Sequence, residues 1–127
     1  MMMMRQALFS IKPQFVRRIL DGTKRYEYRR VRCARDITGI IIYCTSPVCK
    51  VVAEAEVTDI ITGDPEKVWI ITHEASGISK EFFDRYYEGC EEAVAYAIGE
   101  VREFPEPRDL SEYGVSRAPQ SFVYIDG

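Results

Sequence analysis

The sequence predicts an α+β domain: a small mixed, barrel-like β-sheet of about six strands with two to three flanking short helices. Three observations carry this reading. Strand-like stretches outnumber helical ones along the chain, and no regular strand–helix–strand alternation runs through it. The strongest apolar run, Gly39-Ile40-Ile41-Ile42-Tyr43-Cys44, is short and β-branched, as a buried strand requires. At 127 residues the chain is expected to form one domain, residues 1–127. A domain of that size buries about two-thirds of its unfolded surface, so it can fold without metal or disulfide.

Taken in order, Leu8-Phe9-Ser10 reads as a first strand. Pro13 suits the first position of a helix in which Val16, Ile19 and Leu20 share a face and Asp21-Gly22 forms the stop. Residues 25–31 favour a strand; alternation puts Glu27 and Arg29 on one face, where they can pair. Lys24 lies at the helix-to-strand corner, where alternation says nothing about its direction. Gly39 to Cys44 is a buried strand ended by Thr45-Ser46-Pro47. Lys50 to Ile61 follows as a strand with one wet side, Val51, Ala53, Ala55 and Val57 opposing Glu54, Glu56 and Thr58. Asp64-Pro65 opens a helix that Gly77 stops, and Ser79 caps another bearing Phe82, Phe83, Tyr86 and Tyr87. Ala93 to Phe104 returns to strand and is expected to break at Pro105 and Pro107. Asp109 to Tyr113 forms a helical turn, and Ser121 to Ile125 a last strand.

Composition narrows the function. The chain is 46% hydrophobic and 29% charged, which excludes a disordered chain. Its longest uncharged apolar run is too short to span a bilayer. The opening methionines precede Arg5 without a signal-type apolar stretch, so a cytoplasmic protein is expected. In that setting Cys33, Cys44, Cys49 and Cys90 are free thiols, with Cys44 and Cys49 expected as small core residues. One histidine and no paired-ligand spacing give no metal motif, and no cofactor motif is present. The net charge of −3 conceals an asymmetry. Residues 1–35 hold ten Lys/Arg and two acids, a net +8; the remainder hold seven bases and eighteen acids, a net −11. Such a split suits a basic face for a polyanion, or internal pairing between the two parts.

Gly22-Thr23-Lys24-Arg25-Tyr26-Glu27-Tyr28-Arg29 fits the pattern G-x-K-x-x-E-x-R and follows Ser10-Ile11-Lys12-Pro13 and an amphipathic helix. With Tyr43-Cys44-Thr45-Ser46-Pro47, Ser76-Gly77-Ile78-Ser79-Lys80-Glu81-Phe82-Phe83 and Pro119-Gln120-Ser121-Phe122, four elements stand in order over nearly the whole chain. This resembles the ASCH domain of the PUA-like superfamily, in its prokaryotic single-domain form. The resemblance implies a PUA-like mixed β-barrel with a cleft beside the G-x-K-x-x-E-x-R segment. It also implies binding of RNA or a modified nucleotide, a role in transcription or translation control, and a possible protein partner; it fixes no oligomeric state.

The residue types suit that expectation. Lys12, Lys24, Arg29 and Arg30 can neutralise phosphate. Tyr26, Tyr28 and Tyr43 can stack on unpaired bases or fill a barrel core. Ser10, Thr45, Ser46, Gln120 and Ser121 can hydrogen-bond base edges or phosphate. Glu27 can accept from an exocyclic amine, or pair structurally with Arg29. Some ASCH proteins are similar to amidohydrolases of N4-acylated cytidine, with a Lys and a Thr three positions later. Here Glu27 takes the Thr position, and a carboxylate does not replace a hydroxyl nucleophile. Were the chain an enzyme on RNA or nucleosides, Lys24 and Glu27 would be its acid–base candidates. Binding module, hydrolase and protein-interaction domain are the three functions left open.

Overall fold

A computed structural model describes residues 5–32 and 36–125. Its elements are β1 (Gln6–Ile11), α1 (Pro13–Leu20), β2 (Tyr26–Arg29), β3 (Gly39–Cys44), β4 (Lys50–Gly63), α2 (Pro65–Thr72), α3 (Lys80–Tyr86), β5 (Ala93–Arg108) and β6 (Phe122–Ile125). Short 3-10 turns cover His73–Ala75 and Leu110–Tyr113. The six strands form one sheet in the order β2-β5-β4-β3-β1-β6. β1 and β3 are parallel, joined through α1 and β2; the other pairings are antiparallel. The sheet curls into a half-barrel whose two ends are β2 and β6.

Every residue of β3 is buried because both faces of this strand are covered. On one face Ile40 and Ile42 pack with Phe9, Val16, Ile19 and Tyr96, so α1 plugs the inside of the curl. On the other, Ile41 and Tyr43 meet Val51 and Phe104 under the Leu110–Tyr113 turn. A third cluster seats α2 and α3 on β2 and β5 through Val68, Phe83 and Tyr87. The wet and dry faces of β4 alternate as its sequence dictates over Val51–Val57. Ser79 caps α3, its side chain accepting from the Phe82 amide.

Two expectations are corrected. β5 does not stop at Pro105; it continues through Pro107 to Arg108. Between the pairs Ala53–Glu103 and Val51–Arg108, β4 advances two residues while β5 advances five. The strand is bulged there, so prolines deprive the ladder of no hydrogen bond it would otherwise make. Cys49 is not a core residue: it is exposed, at φ 52°, in the turn between β3 and β4. Cys44 is buried as expected, and Cys44, Cys49 and Cys90 are free thiols. Cys33 and Arg35 lie outside the described residues. No helix among the described residues is long and apolar enough to cross a membrane.

Candidate functional site

A cleft of about 680 Å³ opens where the two ends of the curled sheet approach each other. No backbone ladder joins β2 to β6, and the Arg29 side chain bridges the gap. Its Nη2 donates to Glu27 Oε2 at 2.6 Å and to the Ser10 carbonyl at 2.9 Å. Its Nη1 reaches the Ser121 hydroxyl at 3.3 Å. The guanidinium lies 4.8 Å from the Phe9 ring centroid. One side chain thereby ties β2 to β1 and to the residue entering β6. The Ser10 hydroxyl donates to the Pro119 carbonyl at 2.6 Å, and its amide to the Ser121 carbonyl at 3.0 Å, fixing the lip formed by residues 118–121.

Lys24 forms part of the floor. Its residue surface is only 2% exposed, so the corner position turns it inward. The ammonium donates to the Ser76 carbonyl at 2.9 Å and stands 3.8 Å from Glu27 Oε1. It also lies 4.9 Å from the Tyr28 ring centroid and 5.5 Å from that of Phe15. Gly77 makes this arrangement possible: at φ +69° it passes so close to Lys24 that a Cβ would sit 2.4 Å from the Lys24 Cβ. The Ser76-Gly77-Ile78-Ser79 segment is thus more than a connection between helices. Beneath it, Thr72 donates to the Val68 carbonyl, leaving its oxygen to accept from the Tyr28 hydroxyl at 2.7 Å.

The cleft brings together all eleven residues expected from the sequence: Ser10, Lys12, Lys24, Glu27, Arg29, Arg30, Tyr43, Thr45, Ser46, Gln120 and Ser121. It assigns them different tasks. Lys24 and Arg29, expected as phosphate contacts, are buried and already engaged with protein acceptors. The exposed cations are Lys12 and Arg30; Arg30 lies over Tyr86 at 4.1 Å and donates from Nε to its carbonyl. Arg17, Arg25 and Arg32 stand outside the cleft, so the +8 segment is only partly gathered there. Of the three tyrosines, Tyr28 and Tyr43 line the cleft as mostly buried walls, whereas Tyr26 packs into the α2–α3 cluster.

Sequence reasoning missed the aromatic wall. Phe15 and Phe82 meet edge to face at 5.3 Å and line the cleft with Tyr86 and Phe122. The signal was present in α3: Phe83 and Tyr87 already supply its core face, so Phe82 and Tyr86 had to serve a second one.

Burial makes Lys24 titratable near neutrality. Desolvation lowers its pKa from 10.5 to about 8; Glu27 opposes the shift, while Arg29 and Arg18 add to it. The unfolded chain therefore binds the proton more tightly than the folded one, and this group's contribution raises stability as pH climbs from 8 towards 10.5. Tyr28 acts oppositely above pH 10, since burial pushes its phenol up to about 12 and the unfolded chain ionises first. The stability of Lys24→Met relative to wild type should therefore fall by about 2 kcal/mol between pH 8 and 10, whatever its sign at pH 8. Urea denaturation of both proteins across that interval checks this; a constant difference would contradict it.

A curled half-barrel with short helices on its faces and a cleft beside the β2 motif is the architecture of the PUA-like class. No family model matches the chain. It is 29% identical over 126 residues to an ASCH domain-containing ribonuclease of Zymomonas mobilis, covering 95% of this chain and 84% of that protein. The crystal structure of ASCH from Zymomonas mobilis superposes with a TM-score of 0.86 at 27% identity, over 95% of this chain and 87% of that one. In sequence and in fold the chain is similar to these ASCH proteins. It also matches a large ribosomal subunit protein uL22 of Ureaplasma parvum, 35% identical over 89 residues and 70% of this chain. The chain spans only 29% of that relative's length.

Proposed function

We propose that the chain binds unpaired RNA in the cleft at the sheet seam. The observation that carries this is the layering of the cleft: exposed Lys12 and Arg30 border an aromatic wall, with polar groups behind it. Cations at the border suit phosphates, and Phe82 with its partner Phe15 offers an apolar surface for a base. A cleft of about 680 Å³ admits a nucleotide or two and not a paired helix. The name of the Zymomonas relative, a ribonuclease, supports an RNA ligand.

Fluorescence titration with single-stranded RNA oligomers over a range of salt tests the reading. Lys12→Ala and Arg30→Ala should each weaken binding and reduce the slope of log K against log salt by about 0.7. Unchanged slopes in both variants, or no binding at low salt, would overturn it.

The relative's name also favours a second reading, RNA cleavage. In the metal-free form of that reaction the ribose O2′ loses its proton and attacks the adjacent phosphorus, and the P–O5′ bond breaks as O5′ gains a proton. Lys24, with its pKa near 8, can accept or supply a proton at neutral pH. Glu27, at 3.8 Å, sets the field around it. Product ends bearing 2′,3′-cyclic phosphate on RNA, with DNA of the same sequence intact, would support this; binding without turnover would leave the binding module. A cytoplasmic setting, a regulatory role and a protein partner on the acidic remainder of the chain are further parts of the proposal. They rest on the charge split and the family's character.

A further inference from the structure

We propose that Glu27 selects the base held in the cleft, favouring those that present an exocyclic amine, such as cytosine, over uracil. The inference rests on the RNA-binding reading and names the ligand within it. Among the described residues Glu27 is the only carboxylate lining the cleft, beside the cations Lys12, Lys24, Arg29 and Arg30, and it lies at the floor, its side chain 8% exposed. A carboxylate there repels phosphate, so the sugar–phosphate chain is held at the border by Lys12 and Arg30 and the base points inward.

The two oxygens of Glu27 are not equivalent. Oε2 accepts from Arg29 at 2.6 Å. Oε1 has no hydrogen-bond donor among the described residues; the Lys24 ammonium stands at 3.8 Å and donates instead to the Ser76 carbonyl. Nor is Oε1 sealed away among the described residues: the buried side-chain polar atom left without a partner there is Arg29 Nε, not a Glu27 oxygen. An acceptor with spare lone pairs therefore faces the cleft. Cytosine N4 and adenine N6 donate to such an oxygen. Uracil carries a carbonyl where cytosine carries N4, and two oxygens in opposition repel.

Arg29 turns this into a test of hydrogen-bond polarity. In Glu27→Gln the amide oxygen must face the Arg29 donors, which places the amide NH₂ where Oε1 stood. The cleft then offers a donor, which suits the uracil carbonyl and not the cytosine amine.

The experiment measures affinity for oligocytidylate and oligouridylate of equal length, two pyrimidines of the same size, with wild type and Glu27→Gln. Wild type should bind oligocytidylate roughly five- to tenfold more tightly, the lower range for a base-edge contact. Glu27→Gln should level or reverse that ratio. Oligocytidylate dimethylated at N4 tests the same contact on unaltered protein and should lose its advantage. Equal affinities in wild type, or a ratio unchanged by both Glu27→Gln and N4 dimethylation, would overturn the inference while leaving RNA binding intact. Failure of every oligomer to bind would overturn both.

Discussion

Arg29→Ala should lower stability by about 3–5 kcal/mol, the usual result of removing one partner from a buried ion pair. The Arg29 side chain is about nine-tenths buried and holds three acceptors on three segments: Glu27 on β2, Ser10 on β1 and Ser121 at the entry to β6. Alanine leaves the Glu27 carboxylate with only the Lys24 ammonium at 3.8 Å and frees the Ser10 carbonyl of its side-chain donor. Arg29→Lys should recover part of the loss, because an ammonium keeps the charge beside Glu27 but cannot span the separate acceptors as a planar fork does. Urea unfolding of the three proteins measures the order wild type, Lys, Ala. An alanine variant within about 1 kcal/mol of wild type would show that the two sheet ends hold together without this side chain.

Gly77→Ala should produce a loss of similar size for a different reason. At φ +69° an L-residue bears roughly 1–2 kcal/mol of backbone strain. The added Cβ would also fall 2.4 Å from the Lys24 Cβ and 2.9 Å from its Cα, so backbone must move, and overpacking of this kind adds about 1–3 kcal/mol. Gly114→Ala is the matched control. It has φ +72° and no atom within 4 Å of the added Cβ, so it carries the strain alone. Thermal or urea unfolding should place Gly77→Ala well below Gly114→Ala. Equal losses would mean that the Lys24 contact yields freely.

Local pattern was legible wherever one element decides its own outcome. The β-branched run from Gly39 to Cys44, the Pro13 start of α1 and the Ser79 cap each occur where their chemistry places them. Parity on β2 was enough to pair Glu27 with Arg29. What stayed hidden depends on partners distant in sequence. Nothing in the 22–29 segment says that Ser76 and Gly77 will close over Lys24, or that a cation suited to phosphate is instead a buried one. Nothing near Pro105 reveals that β4 will run out of register opposite it. The order of strands, which makes β2 and β6 the sheet's ends and puts the cleft between them, is a property of long-range pairing that periodicity does not encode.

The open circumference has a consequence for how this domain can change. The lip at residues 118–121 and the motif strand opposite it are joined by side chains, not by a shared run of main-chain bonds. Apart from the Arg29 clamp, either border can exchange residues without shifting the alignment of the other. What the groove accepts can therefore drift from one descendant to the next while the scaffold stays fixed.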